Sequence, residues 1–429
     1  MRQTATFDRS SQTPLKHLLL AWANTHTISI YLDSNNYPHH HHTSWDCLVA
    51  VGLHDKIEAS AGHAFSALRD FYDQKQDWLF GIFGYDLKNE VEKLRSDHPD
   101  HIGMPDLFFF QPQIVAGIRH NQLEIFALDR DPTEVYETIM RAEDPVPDPQ
   151  PTNRLQYTPR IPKPEYLATV ETIRQHIIEG DLYEMNFCQE FYTENAVIDP
   201  VATFKRLNAL GKAPFSAFIR LNDKYVCCAS PERFLRKEGD KLITQPIKGT
   251  RRRGQTPEED ALIRLELAAS EKDRAENVMI VDLMRNDLAR SCQPGSVNVE
   301  ELFGIHSFET VHQMISTVTG VLRPGVHPVD ALRDAFPMGS MTGAPKVMAL
   351  ELIEQYERSR RGLYSGAAGY FAPNGDFDFN VVIRSILYNA TAHYLSFQVG
   401  GAIVYDSVPE QEYEECLVKA EAMRKALGE

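Results

Sequence analysis

Cysteine is scarce in this chain, and it is not arranged for pairing. Six cysteines stand among 429 residues, and no two form a CxxC unit. That arrangement argues against a disulfide framework. The scatter of Cys47, Cys188, Cys227, Cys228, Cys292 and Cys416 fits reduced thiols in the cytoplasm. Positive charge is also in deficit. Lys and Arg number 44 against 60 Asp and Glu, a net charge of -16. That balance argues against a nucleic-acid partner, which needs a basic footprint. A small anionic substrate remains compatible, because a few local cations or a metal suffice to bind one. No apolar run is long enough to cross a bilayer. "HLLLAWA" (His17 to Ala23) is too short, lacks a cleavage pattern behind it, and reads as turns of a buried helix. Internal repeats are missing, and low complexity is confined to His39–His42. Those four imidazoles lack the spacing of a built metal site and read as a solvated loop.

What is present is an ordinary globular composition, 43% hydrophobic and 24% charged. The length allows two or three domains, or one elaborate one. One composition break stands out: "EDPVPDPQPTNRLQYTPRIPKP", rich in proline, reads as an extended connector. It divides the chain into an N-terminal part at 1–142, a connector at 143–163 and a larger part at 164–429. The first part has strand-like runs in "TISIYLD" and "QLEIFALD". The second opens on a helix, with Pro164 in its first turn, apolar residues at Leu167, Val170, Ile173 and Ile177, and Gly180 as its stop. Strands are expected at "APFSAFIRL", "KYVCCAS", "GAAGYFA", "VVIRSILYN" and "HYLSFQVGGAIVY". Helices are expected at 257–270, 276–290, 344–356 and 410–427. Strands come in runs rather than alternating with helices, so the expected class is α+β with mostly antiparallel sheets.

The stretch "TQPIKGTRRRG" sets Lys248 between Ile247 and Gly249. A phosphate loop would need the lysine after its last glycine, and that order is absent. A surface charge is the default for any lysine. A lysine held among Pro246, Ile247 and Gly249 at a strand end is also suited to a lowered pKa and a role as nucleophile or base. Two acidic clusters follow. Asp273 and Glu276 share a helix face, as do Glu412 and Glu415, with Lys419 four residues further on. The bland reading is a solvated face. "VMIVDL" makes the first helix apolar on more than one side, which points to burial, and buried carboxylates need partners. Two helices each presenting a carboxylate to one cavity make a Mg²⁺ site completed by water and substrate oxygens. "MGSMTGAPK" is a loop with backbone N–H groups open to an anion. Gly400 and Gly401 lie in a strand that a ligand would approach closely. Arg384 is a lone cation in an apolar strand and calls for a carboxylate partner. Together these residues describe a Mg²⁺-assisted enzyme acting on a small carboxylate.

In this order, "SPERF", "PIKGTRRRG", "EKDRAENVMIVDLMRNDLAR", "GSMTGAPK", "GYF", "VVIRS" and "GGAIVYDSVPEQEYEECLVKA" resemble the chorismate-utilising enzymes. The resemblance runs from about Pro164 to the C-terminus. The family includes enzymes forming anthranilate, isochorismate, salicylate and aminodeoxychorismate. It implies two large, mostly antiparallel sheets packed face to face with helices outside, the N-terminal part completing the sandwich. It also implies Glu276 and Glu415 as Mg²⁺ ligands, with Asp273 and Glu412 in support. Arg384 and Tyr370 would hold the enolpyruvyl carboxylate, and Gly400, Gly401 and Lys419 the ring carboxylate. Ser340 and Thr250 would also contact substrate. Glu232 would protonate the departing 4-hydroxyl, and Lys248 would attack carbon 2.

Within the family, lysine at 248 and the form "GSMTGAPK" resemble the branch that aminates chorismate at carbon 4, toward 4-aminobenzoate and folate. The anthranilate branch typically has alanine at that position. The ammonia implied would come from a separate glutamine amidotransferase subunit. One departure concerns a histidine common in the family, which is replaced by Gln313, with His312 one place earlier and so on the other face of a strand. Arg252 replaces a frequent proline, and Ala402 a frequent glycine. Anthranilate, isochorismate or salicylate formation is the alternative on the same fold. A catalytically silent chorismate-binding homologue is the alternative of another class, and Gln313 is what keeps it open.

Overall fold

The computed structural model describes residues 2–8, 15–36, 44–92, 94–143 and 155–429. The His39–His42 tract and most of the proline-rich connector lie outside the described residues. Among those described, twenty strands join in one hydrogen-bonded network, and every pairing is antiparallel. The network has two arms that part at the strand Leu107–Arg119. Along its whole length this strand pairs with Cys47–Ala59. Its first residues also pair with Leu79–Phe83 and its last with Gln122–Ala127. One arm continues through Ile28–Asp33, Phe215–Leu221, Lys224–Ser230, Ser385–Asn389 and Tyr394–Ile403 to Glu184–Thr193. The other continues through Ala367–Phe371, Phe377–Val381, Arg233–Glu238 and Lys241–Gln245 to Val311–Val321. The expected pair of facing sheets is thus two arms of one network.

The period-two alternation of strands sorts apolar side chains into layers. In the strand 79–83, Phe80 and Ile82 enter a cluster with Ile30, Ala50 and Ile219 from the other arm, while Leu79 and Phe83 turn away from it. That cluster lies between the arms. A second packs Phe187 and Phe397 beneath helices carrying Leu19, Val170, Phe204 and Met423. A third packs Leu235, Leu242 and Val318 beneath helices carrying Phe65, Ile280, Met284 and Leu332. The order is helix, sheet, sheet, helix, which defines an α+β sandwich. Strands from before and after the connector pair twice, 28–33 with 215–221 and 79–83 with 367–371.

The helices start and stop where their caps direct. Lys163–Glu179 has Pro164 in its first turn and ends at Gly180 with φ 89°. Ser270 accepts a hydrogen bond from the Asp273 N–H at the start of Glu271–Ala289, so this helix begins five residues before the expected 276. Asp273 and Glu276 therefore lie in its opening turns, where the helix dipole favours negative charge. The expectation that "VMIVDL" is buried on more than one side is corrected. Ile280, Val281, Met284 and Leu288 form one buried stripe, and Val278 is exposed. The strand expected through "VVIRSILYN" is also broken. It ends at Val381 and resumes at Ser385, and Arg384 between them has φ 51°. A left-handed conformation in a non-glycine residue costs about 1–3 kcal/mol and persists only where the surroundings impose it.

Candidate active site

Lys248 is largely buried at the start of the strand Ile247–Arg252. Its Nζ donates to Glu184 Oε1 at 2.9 Å. Burial by itself would lower the Lys248 pKa, as expected for a lysine at an apolar strand end. That expectation is corrected: the carboxylates of Glu184, Glu276 and Glu232 outweigh burial, and the net shift is upward. The amine is thus held as an ammonium by three carboxylates on three different segments.

Glu232 follows the strand Lys224–Ser230 and is buried. Burial pushes its carboxyl up to about 7, against the opposing pull of a hydrogen bond with Ser340 and of the Lys248 ammonium. A carboxyl titrating there is shared between its protonated and ionised forms at neutral pH, so it can hold a proton and release it, as a general acid must.

The strand Glu184–Thr193 positions several of these groups. Alternate residues share one face, and on this face Glu184 touches Lys248, Asn186 donates to the Ser340 carbonyl at 3.2 Å, and Cys188 contacts the Tyr364 hydroxyl at 3.6 Å. Through these contacts one strand reaches Lys248, the loop beside Glu232, and the tyrosine beside Arg384.

The four acidic residues come from two helices, 271–289 and Pro409–Ala426. Burial raises the Glu276 pKa; Lys248 and Lys272 oppose the rise, and Glu184 and Asp273 add to it. Burial also raises Glu412, whose Oε1 accepts from Ser407 at 2.7 Å. Glu415 is half exposed; burial is outweighed by Lys419, which holds its carboxyl below the ordinary value from 2.6 Å. Asp273 pairs with Arg251 at 2.7 Å. A Cβ on Gly401 would stand 3.2 Å from Glu412 Oε2 and 3.3 Å from Glu415 Oε1, so its absence leaves those carboxylates room. Hard oxygen donors, with burial and a neighbouring carboxylate raising the pKa of Glu276 and Glu412, fit a divalent cation whose charge would offset that repulsion. Among the described residues, ligand atoms converge within 4.8 Å only at His176, Glu179 and Asp181 on the surface. There His176 is already bonded to Asp181 and to Tyr356.

The remaining expected residues divide. Arg384 lies in the strand break, where burial lowers its pKa; the neutral Tyr364 phenol lies near it, and Glu415 is the opposing charge. Among the described residues its guanidinium has no ion-pair partner, which suits it to a substrate carboxylate. Tyr370 is corrected: it lies in the cluster between the arms, with ring centroids 5.7 Å from both Trp78 and Phe80. Tyr364, six residues earlier, is the tyrosine beside Arg384. Gly400 owes its lack of a side chain to the fold, since a Cβ would lie 2.4 Å from Phe187 O and from Cys188 Sγ. Its carbonyl accepts from Lys419 Nζ at 2.7 Å. Ser340 is buried, and Thr250 is exposed opposite Gln313. Gln313 is buried with no hydrogen-bond partner for Oε1. His312 faces the other way and bonds Asp260 and Ser307.

Sequence reasoning missed Glu184 and Tyr364. A signal existed for the first: "DLYEMNFCQE" places Glu184 in a strand otherwise fit for burial, where a carboxylate needs a cation. None distinguishes Tyr364 from Tyr370 without the register of the strand 367–371.

A fold of this order is matched among known proteins. The profile of the family described as chorismate binding enzyme matches residues 7–425, and the chain belongs to that family. It is 37% identical over 372 residues to the chloroplastic aminodeoxychorismate synthase of Arabidopsis thaliana, covering 81% of this chain and 40% of that protein. It is 39% identical to aminodeoxychorismate synthase component 1 of Klebsiella aerogenes, covering 79% and 74%. It is 36% identical to anthranilate synthase component 1 of Thermus thermophilus, covering 81% and 77%. The crystal structure of anthranilate synthase component I from Streptococcus pneumoniae TIGR4 superposes with a TM-score of 0.77 at 26% identity, covering 88% and 91%. The chain spans less than half the length of the Arabidopsis relative.

Proposed function

We propose that this chain aminates chorismate at carbon 4, giving 4-amino-4-deoxychorismate. The observation that carries the reading is Lys248, a buried amine faced by Glu184, Glu276 and Glu232, at a position where the anthranilate-forming branch typically has alanine. Curated aminodeoxychorismate synthases among the relatives support the same branch. Glu232 donates its proton to the departing 4-hydroxyl, which leaves as water. Lys248 Nζ bonds to carbon 2 as both ring double bonds shift. Ammonia then adds at carbon 4 and expels the amine from carbon 2. A covalent route of this kind divides one hard displacement into two easier ones.

Arg384 and Tyr364 would take the enolpyruvyl carboxylate, and Lys419 with the Gly400–Gly401 backbone the ring carboxylate. Glu276 and Glu415, supported by Asp273 and Glu412, would hold Mg²⁺, which supplies positive charge to the ring carboxylate when bound. By the resemblance to the aminating branch, we assign the ammonia supply to a glutamine amidotransferase subunit. The product would lead to 4-aminobenzoate and folate. The six cysteines are free and buried, which fits the cytoplasm, and no helix among the described residues is long and apolar enough to cross a membrane.

The test is incubation of the purified chain with chorismate, Mg²⁺ and ammonium at mildly alkaline pH, with the product identified by mass. A 4-amino product supports the reading. Anthranilate, isochorismate or salicylate would place the chain in another branch. No turnover would favour a silent homologue, with Gln313 as its mark.

A further inference from the structure

Glu184 has no role in the reaction set out above, and its surroundings are unusual for a residue of the fold alone. It is 1% exposed. A carboxylate so buried needs compensation, and a structural ion pair ordinarily fills both of its oxygens. Here Oε1 accepts from Lys248 Nζ at 2.9 Å, while Oε2 is buried with no hydrogen-bond partner. The charged groups facing Lys248 are Glu184 from the strand 184–193, Glu276 from the helix 271–289, Glu232 beyond the strand 224–230 and Glu415 from the helix 409–426. Of these, Glu184 is the one in hydrogen-bond contact with the amine.

An ammonium has no lone pair to offer to carbon 2, so Lys248 must lose a proton before it can attack. Resting on the function proposed above, we propose that Glu184 is the proton acceptor for Lys248. One Nζ–H bond breaks and one Oε1–H bond forms, and the nitrogen keeps the electron pair. The pair carries no net charge before or after the transfer. Release of the proton to solvent would instead leave a lone buried carboxylate, which is the costlier state. The uncommitted Oε2 means that the carboxyl takes up a proton without surrendering a second hydrogen bond. When ammonia expels the lysine, the amine leaves carbon 2 neutral and recovers its proton from Glu184, restoring both groups.

The first variant is Glu184→Gln, which keeps the size and one acceptor oxygen but does not take up a proton near neutral pH. The proposal makes two expectations of opposite sense. Loss of a facing negative charge lets the Lys248 ammonium titrate at lower pH, read by competitive labelling with acetic anhydride and mass spectrometry. Yet kcat for amination falls about 100-fold, the scale of a lost general base, with KM for chorismate within a few-fold of the native value. Glu184→Asp, which keeps a carboxylate, recovers part of the rate. A Gln variant as fast as the native chain, or faster, overturns the proposal, because Glu184 would then only restrain the amine. If the Gln variant does not fold, the Asp variant decides: retained amination supports the proposal, and loss of amination with Lys248 labelling unchanged overturns it. A native chain that forms no 4-amino product would refute the function rather than the pair. The labelling needs no turnover, and a Lys248 titration unmoved by Glu184→Gln overturns the pairing.

Discussion

Two lysine–glutamate pairs flank the site, and they differ in everything except their chemistry. Lys248 and Glu184 meet at 2.9 Å with side chains 12% and 1% exposed. Lys419 and Glu415 meet at 2.6 Å with side chains 29% and 48% exposed. In the first, low polarity makes the location of a single proton consequential, and the pair is suited to proton chemistry. In the second, water competes with each partner, so the bond is readily exchanged. Lys419 can release Glu415 to another cation while still donating to the Gly400 carbonyl. On the proposed function, the same two residue types would serve proton transfer where they are buried and reversible ligation where they are wet.

Breaking the buried side has the largest expected effect. Lys248→Ala should slow amination by about 10³-fold or more, the scale of a lost nucleophile, with far-ultraviolet circular dichroism unchanged. Beside it, Glu232→Gln should cost about 100-fold in kcat/KM. Its pH profile sharpens the point. Glu232 acts as an acid only while protonated, and its carboxyl is pushed up to about 7. Native kcat/KM should therefore decline as pH rises beyond about 7, and the variant should lack that limb. Crowding the wet side should do less. Gly401→Ala sets a Cβ against Glu412 and Glu415 at 3.2–3.3 Å, and should raise the Mg²⁺ concentration for half-maximal rate by roughly tenfold, or about 1.4 kcal/mol, in a metal titration. Smallest is Lys419→Met, which should change stability by less than about 1 kcal/mol in thermal melts and raise KM for chorismate by a few-fold.

The layers of the fold were legible because apolar alternation and caps such as Pro164 and Gly180 act over a few residues. The two acidic helices were legible for the same reason, with boundaries that moved when Ser270 capped the first. Contacts that depend on register between distant segments were not. Tyr370 lies within one short strand and Tyr364 just before it, and only the pairing of 367–371 with 79–83 turns the first into the core. Arg384 read as part of a strand because its neighbours are β-branched and apolar, and no local feature announces a left-handed residue there. Gly400 and Gly401 looked alike in sequence. One makes room for the strand 184–193 and the other for carboxylates on a helix.

The strand Leu107–Arg119 belongs to both arms, and the N-terminal part supplies inner partners to two strands that follow the connector. Neither half of the chain is therefore a free-standing unit. If the polypeptide were cut between residues 143 and 155, each fragment would present bare sheet edges at 28–33 and 79–83, or at 215–221 and 367–371. Such edges pair with what they fit. Expressed separately, the halves should be insoluble; expressed together, they should recover one particle through the same two ladders, making the molecule a natural split reporter.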